Sequence, residues 1–180
     1  MSTALSKKRN RSEELWTSYT ELNETASTAT ANHYTEWLTT ARKKQLTPIT
    51  DYLVWLILAG RGWGKTRTGA EDIAIYAMDN ANVNCAVVAP THGDLRRVCF
   101  GGPSGLLSII PKECLLKSKE QAGYSSTVSE ILLWNGSKII GFAAQEPERL
   151  RGPQFHRAWC DEVASWRYPE AFDQLLFGLR

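Results

Sequence analysis

The feature of the sequence that most constrains the fold is an apolar run followed at once by a glycine-rich loop. The run is YLVWLILA (52–59), and the loop GRGWGKT (60–66) places glycine at every second position before a lysine and a threonine. A continuous apolar run rich in β-formers is typical of a parallel strand buried on both faces. The next segment, TRTGAEDIAIYAMDN (66–80), has helical periodicity. The order of strand, glycine loop and helix predicts an α/β fold.

The glycine loop has the residue types of a phosphate-binding site. Gly60, Gly62 and Gly64 leave the backbone N–H groups free to point at a phosphate, at the positive end of the following helix. We expect Lys65 to reach the β- and γ-phosphates of ATP, and the Thr66 hydroxyl to take a coordination site on Mg²⁺. The alternative is a glycine-rich turn that ends an ordinary strand.

Ala59 and Arg61 distinguish this loop from the simplest form of the pattern G-x-x-x-x-G-K-S/T. Ala59 stands where the pattern has glycine, but it ends the predicted strand, where a small residue in an extended conformation is sufficient. Arg61 adds a guanidinium inside the loop. A guanidinium beside the γ-phosphate stabilises the charge that develops as that group leaves. The alternative for Arg61 is a surface arginine that faces solvent.

A pair of carboxylates ends a later segment, FHRAWCDE (155–162), which is predicted to be another parallel strand. Hydrolysis of a nucleoside triphosphate needs one acid to hold Mg²⁺ and a second to orient and deprotonate the attacking water. We assign these roles to Asp161 and Glu162, because the loop after the strand frees the second side chain to turn toward the γ-phosphate. Kinases of the same architecture do not need the second acid, so the pair favours hydrolysis. The alternative is that both acids cap the following helix.

The remaining segments complete an α/β doubly wound order with a mostly parallel central sheet. Asn135-Gly136 predicts a type I′ turn in the middle of a β-hairpin. The other predicted elements are a buried strand (84–90), a Thr-capped helix (91–100), a short helix (103–111), the hairpin (127–144) and a closing helix (166–180). With the glycine loop, this order predicts a P-loop NTPase fold.

The first quarter of the chain differs in character from the rest. Residues 1–12 are polar and basic and are predicted to be disordered. Two modest helices are predicted at 11–24 and 30–46, separated by the polar stretch TASTAT (25–30). We therefore divide the chain into a polar tail with a helical appendage at 1–46 and a nucleotide-binding domain at 47–180.

The composition bounds the class of protein. The formal net charge is only +2, and its excess comes from the clusters SKKRNR (6–11) and ARKK (41–44), which we interpret as solvated ends. None of the four cysteines forms a C-x-x-C pair, which is typical of buried thiols in a reducing compartment. No apolar run reaches the roughly 18–20 residues needed to cross a bilayer, and the polar start lacks the apolar core of a signal peptide. We expect a soluble intracellular protein without a zinc site.

Several of these segments together resemble one known family. The segments LILAGRGWGKTRTGAE (56–71) and GFAAQEPERLRGPQFHRAWCDEVASWRYPEAFDQLLFGLR (141–180) are similar to the ATPase domain of the large terminase subunits of tailed bacteriophages and gene transfer agents. ARKKQL (41–46) and PSGLLSIIP (103–111) extend the resemblance, which runs from about residue 41 to the end. The specific part is EPERLRGPQF (146–155), which generic P-loop enzymes do not carry.

The resemblance implies an ATPase of the ASCE class of P-loop NTPases within a viral DNA-packaging motor. Such a motor is an oligomeric ring that docks on a portal protein and works with a small terminase subunit. It hydrolyses ATP with Mg²⁺ to drive double-stranded DNA into a procapsid. The location implied is the cytoplasm of the host, with no membrane association.

The resemblance also implies roles for individual residues. Those in the two central motifs are the Walker A pair Lys65 and Thr66, the Walker B aspartate Asp161 and the catalytic glutamate Glu162. Arg61 would sense the γ-phosphate and Gln45 would contact adenine. Arg151 resembles a position proposed as an arginine finger, with a structural salt bridge as the alternative and Arg149 as a competitor for the role.

The chain also departs from this family. A large terminase normally continues past FGLR (177–180) into a Thr-rich coupling motif and a nuclease domain, so the resemblance implies an ATPase portion that is incomplete at its C-terminus, with no nuclease site. Two other functions remain open. One is a different P-loop hydrolase, such as a helicase-like or chromosome-partition ATPase, against which EPERLRGPQF argues. The other is a silent module that holds nucleotide or a partner subunit without turnover.

Overall fold

A computed structural model describes residues 2–116 and 123–180, with side chains from residue 21 onwards within those ranges. It has five α-helices and five β-strands in this part of the chain. The helices are α1 Ser2–Thr40, α2 Lys65–Asp79, α3 His92–Asp94, α4 Leu106–Ile109 and α5 Glu170–Gly178. The strands are β1 Asn84–Ala89, β2 Tyr124–Ser125, β3 Glu130–Leu132, β4 Lys138–Ala143 and β5 Arg157–Cys160.

The strands form one mixed sheet in the order β2-β3-β4-β1-β5. The central strand β1 is parallel to both β4 and β5, with Val88 paired to Phe142 on one side and to Cys160 on the other. The strand β3 is antiparallel to both of its neighbours, β2 and β4. Helices flank this sheet, so the α/β class predicted from the sequence is confirmed. The prediction of a mostly parallel sheet is wrong, because two of its four strand pairings are antiparallel.

Two apolar clusters pack on opposite faces of the sheet. Alternate residues of β1 divide between them, with Cys85 and Val87 in the larger cluster and Ala86 and Val88 in the smaller one. The larger cluster includes α2, and a Cβ added at Gly69 of that helix would lie 2.3 Å from the indole nitrogen of Trp159. Glycine at position 69 therefore allows α2 to approach β5 closely. The start of α2, which follows the glycine loop, and the end of β5, which precedes the two acids, are thereby brought together.

Most of the predicted elements after residue 60 are confirmed. The strands at 84–90 and 155–162, the hairpin and the helices at 66–80, 103–111 and 166–180 all have observed counterparts. The type I′ turn predicted within the hairpin is wrong, because that turn needs positive φ at both central residues. Gly136 has φ +82°, but Asn135 does not have a positive φ, and the hydrogen-bonded turn is formed by the N–H of Gly136 donating to the carbonyl oxygen of Leu133 at 3.1 Å. The segment 91–100 contains α3 followed by a π-helix, Leu95–Phe100, and Thr91 caps its start by accepting a hydrogen bond from the backbone N–H of Asp94.

The prediction of a buried strand at 52–59 is wrong. This segment has no regular secondary structure, and the residues Leu53 and Leu58 are 82% and 86% exposed. A parallel strand buried on both faces needs hydrogen-bonded strands at its edges and packed layers above and below it. Within the described residues no strand pairs with 52–59, and β5 pairs only with β1. The apolar run therefore lacks the neighbours that would bury it.

The prediction of two separate helices, at 11–24 and 30–46, is also wrong, because α1 is one continuous helix from Ser2 to Thr40. The stretch 25–30 is a packing surface rather than a break. Ala26 is fully buried in the larger cluster, and its carbonyl oxygen accepts a hydrogen bond from the thiol of Cys114 at 3.5 Å. Small side chains at this stretch let α1 approach the domain. Among the described residues, none of the helices has a span both apolar and long enough for a bilayer.

Candidate phosphate-binding site

The glycine loop leads directly into α2, which begins at Lys65. Two of its glycines adopt backbone conformations that L side chains rarely reach, with φ +76° at Gly62 and φ +91° at Gly64. Space is also restricted at position 64, where a Cβ would lie 2.9 Å from Nε2 of Gln45. The backbone conformation therefore requires glycine at positions 62 and 64. The loop presents the N-terminus of a 15-residue helix, where orphan N–H groups favour an anion.

Lys65 lies between the loop and the acid pair. Its ammonium group donates a hydrogen bond to the carbonyl oxygen of Ala59 at 3.2 Å and lies 4.0 Å from a carboxylate oxygen of Glu162. These residues are separated by almost one hundred positions in the sequence. The structure therefore brings the end of the glycine loop and the end of β5 to the same place.

Asp161 is the first residue after β5, and it is only 7% exposed. The thiol of Cys99 donates a weak hydrogen bond to its Oδ2 at 3.9 Å, and the indole N–H of Trp166 donates to its backbone carbonyl at 2.9 Å. Burial, together with the neighbouring charge of Glu162, raises the pKa of Asp161 to about 6, while the Cys99 hydrogen bond and Lys65 lower it. A nearby cation stabilises the charged form of a buried carboxylate such as this one. Sequence reasoning missed Cys99, because no pattern links it to the acid pair.

Glu162 follows Asp161 in a different backbone conformation. Its φ of +46° and ψ of +47° place it in the left-handed region, which is strained for a residue other than glycine. Ser165 holds the turn, because its N–H and its hydroxyl both donate to the carbonyl oxygen of Glu162, at 2.9 Å and 2.7 Å. The reversal exposes the Glu162 side chain while Asp161 stays buried. The two carboxylates therefore occupy different environments, as a metal ligand and a general base require.

The remaining predicted site residues lie at different distances from this centre. Thr66 is in the first turn of α2, and Arg61 is exposed within the loop. The buried side chain of Gln45 lies against the loop, with its amide nitrogen 3.3 Å from the carbonyl oxygen of Trp63. Gln45 was expected beside the nucleotide, and it does contact the loop that would bind it.

The two arginines considered as a finger take part in surface ion pairs. Arg151 lies 2.9 Å from Glu148 and donates from Nε to Gln174 at 3.1 Å. Arg149 lies 3.3 Å from Glu146. Both are exposed, so the structural salt bridge considered for Arg151 is present, and a finger role for either arginine stays a prediction.

The donor set fits Mg²⁺. That ion prefers oxygen ligands and usually binds through one or two protein oxygens together with phosphates and water. Asp161 offers a carboxylate and Thr66 a hydroxyl, and Lys65, which lies 4.0 Å from Glu162, offers a positive charge for phosphate oxygens. We therefore assign a Mg²⁺–phosphate site to these residues as a prediction.

The raised pKa of Asp161 predicts how stability depends on pH. Because this acid binds its proton more tightly in the folded state than in the unfolded state, the contribution of Asp161 to the free energy of unfolding should fall as pH rises from about 4 to 6. Asp161→Asn removes this penalty. We expect the variant to gain about 2–3 kcal/mol over the wild type at pH 7–8, and little or nothing at pH 4.

Urea unfolding without Mg²⁺ at several pH values measures the effect. Asp51→Asn is the matched control, since Asp51 is exposed, and its effect should stay nearly constant with pH. An Asp161→Asn gain that does not change between pH 4 and pH 8 would contradict the prediction.

Residues 56–179 match the family model described as terminase large subunit, T4likevirus-type, N-terminal. The matched part includes the glycine loop, α2, the whole sheet and the acid pair. No curated protein shows significant similarity to the chain.

Proposed function

Because the chain belongs to the family of N-terminal domains of T4-like terminase large subunits, a role in DNA packaging follows, and we propose that it is the ATP-hydrolysing motor portion of such a subunit. In this proposal ATP hydrolysis drives double-stranded DNA into a procapsid. The family match supports this function over the helicase-like and chromosome-partition ATPases that share parts of the sequence pattern.

The observation that carries the proposal is the 4.0 Å approach between Nζ of Lys65 and the carboxylate of Glu162. A lysine at a glycine loop is common in phosphate sites, and an exposed acid after a strand is common at protein surfaces. Their convergence, with a buried second acid next to them, is what ATP hydrolysis requires. The strained backbone of Glu162 supports the same conclusion, since such strain clusters at functional sites.

The proposed chemistry follows from the position of each group. The loop N–H groups and Lys65 bind the β- and γ-phosphates, and Gln45 belongs to the same nucleotide site. Thr66 and Asp161 hold Mg²⁺, which when bound neutralises phosphate charge. Glu162 orients the attacking water and takes its proton, which is the step that separates a hydrolase from a binding module.

Two arginines extend the proposal. Arg61, exposed in the loop, is placed to sense the γ-phosphate. Arg151 is the proposed finger, and its exposed position on the surface suits contact with a nucleotide on a neighbouring subunit. To serve as a finger it would have to leave Glu148 and Gln174. Arg149 would have to leave Glu146 to take the same role. Separate substitution of Arg151 and Arg149 therefore compares the two arginines.

The proposed partners are those of a packaging motor. They are double-stranded DNA, a portal protein, a small terminase subunit and further copies of the chain in a ring, acting in the host cytoplasm. Terminase membership supports DNA and packaging partners in general.

The test is to measure ATP binding by calorimetry and phosphate release by the purified chain, each with Mg²⁺ and with or without double-stranded DNA. We expect ATP binding, and hydrolysis that rises when DNA is added. Binding without any turnover, with or without DNA, would identify a silent nucleotide-binding module. Absence of ATP binding would contradict the proposed function itself.

A further inference from the structure

The turn Lys43–Gln45 packs against the glycine loop. Its last residue, Gln45, is a buried polar side chain. The amide nitrogen of Gln45 lies 3.3 Å from both the carbonyl oxygen of Trp63 and the hydroxyl of Thr68, and that hydroxyl donates to the carbonyl oxygen of Gly64 at 3.0 Å. Gln45 therefore contacts the loop just before Gly64, the residue with φ +91°, and helix α2 just after it.

Arg42 completes this network. Its backbone N–H and its Nε both donate to Oε1 of Gln45 at 3.1 Å. The same guanidinium lies 5.3 Å from the centre of the Trp63 ring, as in a cation–π contact, and donates from Nη2 to the Trp63 carbonyl oxygen. We call Arg42, Gln45 and Trp63 the loop latch.

The latch acts on one peptide bond. In a trans peptide the C=O and the following N–H point in opposite directions. Since Arg42 and Gln45 both bind the Trp63 carbonyl, the N–H of Gly64 is turned to the opposite side of that peptide. A phosphate loop works by fixing such N–H groups before the ligand arrives.

We propose that Arg42 is a positioning residue for phosphate binding, acting through Gln45 and Trp63 on the shape of the loop. This inference rests on the proposed nucleotide-binding function and deepens it. It also gives Gln45 a definite role. Its oxygen accepts two hydrogen bonds and its NH₂ group faces two acceptors, so all four of its hydrogen-bonding positions are used within the protein. None remains for a nucleobase.

Binding of three ligands separates positioning of the loop from recognition of the base. ATP, GTP and inorganic tripolyphosphate, each with Mg²⁺, are titrated into the wild type, Arg42→Ala and Gln45→Ala. We expect each variant to lower the affinity for all three ligands by a similar factor of about tenfold, because a charge-assisted hydrogen bond that fixes the loop is lost. Arg42→Lys should weaken the binding of the three ligands less than Arg42→Ala does, because lysine keeps the positive charge. Some loss should remain, because lysine cannot bind Gln45 and stack on Trp63 at once.

Lys43→Ala is the matched control. Lys43 lies in the same turn, carries the same charge and is exposed, so its loss should leave the affinity for tripolyphosphate within about twofold of the wild type. Thermal unfolding of every variant checks that it is folded. Arg42 is itself exposed, and we expect Arg42→Ala to remain folded.

Two results would overturn the inference while leaving the proposed function intact. One is tripolyphosphate affinity in Arg42→Ala equal to that of the wild type. The other is a Gln45→Ala variant that loses ATP but keeps GTP and tripolyphosphate, which would make Gln45 a reader of the base. A wild-type chain that binds none of the three ligands would instead reject the nucleotide site and, with it, the latch.

Discussion

Lys65→Ala is expected to abolish ATP binding, with a loss of affinity of at least about 100-fold. The ammonium group is the positive charge placed at the start of α2 beside the acid pair, and its removal leaves the phosphates facing Glu162 without compensation. The fold should be retained. Among the described residues its side chain makes one hydrogen bond, to the carbonyl oxygen of Ala59, and alanine is well tolerated in a helix. Calorimetric titration with ATP and Mg²⁺ measures the loss.

The comparison that isolates this effect is Lys112→Ala. Lys112 is an exposed lysine in the turn Lys112–Cys114, so its substitution removes the same charge away from the loop. It should bind ATP as the wild type does. A Lys65→Ala protein that is folded and binds ATP within about threefold of the wild type would show that the loop does not bind phosphates through this residue.

Glu162→Gln is expected to leave ATP binding intact and to lower the rate of hydrolysis by about 10²–10⁴-fold. Glutamine keeps the size and the hydrogen-bonding reach of the side chain, but it cannot take a proton from water. Glu162 is 59% exposed at its side chain, so the change should not disturb the core. Removing its negative charge also lowers the pKa of Asp161, since Glu162 is one of the groups that raise it.

Single-turnover measurement of phosphate release, under conditions in which the wild type hydrolyses ATP, tests this assignment. Affinity for ATP is measured separately, so that a defect in binding is not taken for a defect in chemistry. Glu113→Gln, an exposed glutamate in a distant turn, serves as the control. Hydrolysis by Glu162→Gln at the wild-type rate would show that another group is the base.

The elements that sequence reasoning found correctly are those with strong local signals. The hairpin at Asn135-Gly136, the helix after the glycine loop and the strand that ends in two acids all depend on residues close in sequence. In each case the local preference and the burial pattern agree, and such agreement makes a prediction reliable.

Two of the errors in the fold have the same origin. The run 52–59 and the stretch 25–30 were interpreted from composition, the first as buried and the second as a break. Composition does not say which surface a segment meets. The apolar run has no pairing strand among the described residues, whereas the polar stretch places Ala26 against Cys114 in the core.

The site shows the same division between local and tertiary information. By itself, the sequence determined which residues have the chemistry: a lysine after alternating glycines, and two acids at the end of a strand. Only the tertiary structure decided that Lys65 and Glu162 meet at 4.0 Å, that Asp161 is buried beside Cys99, and that Arg42 binds the loop through Gln45. The physical reason is that backbone preferences act over a few neighbouring residues. A contact between distant segments instead depends on the packing of the sheet and helices that lie between them.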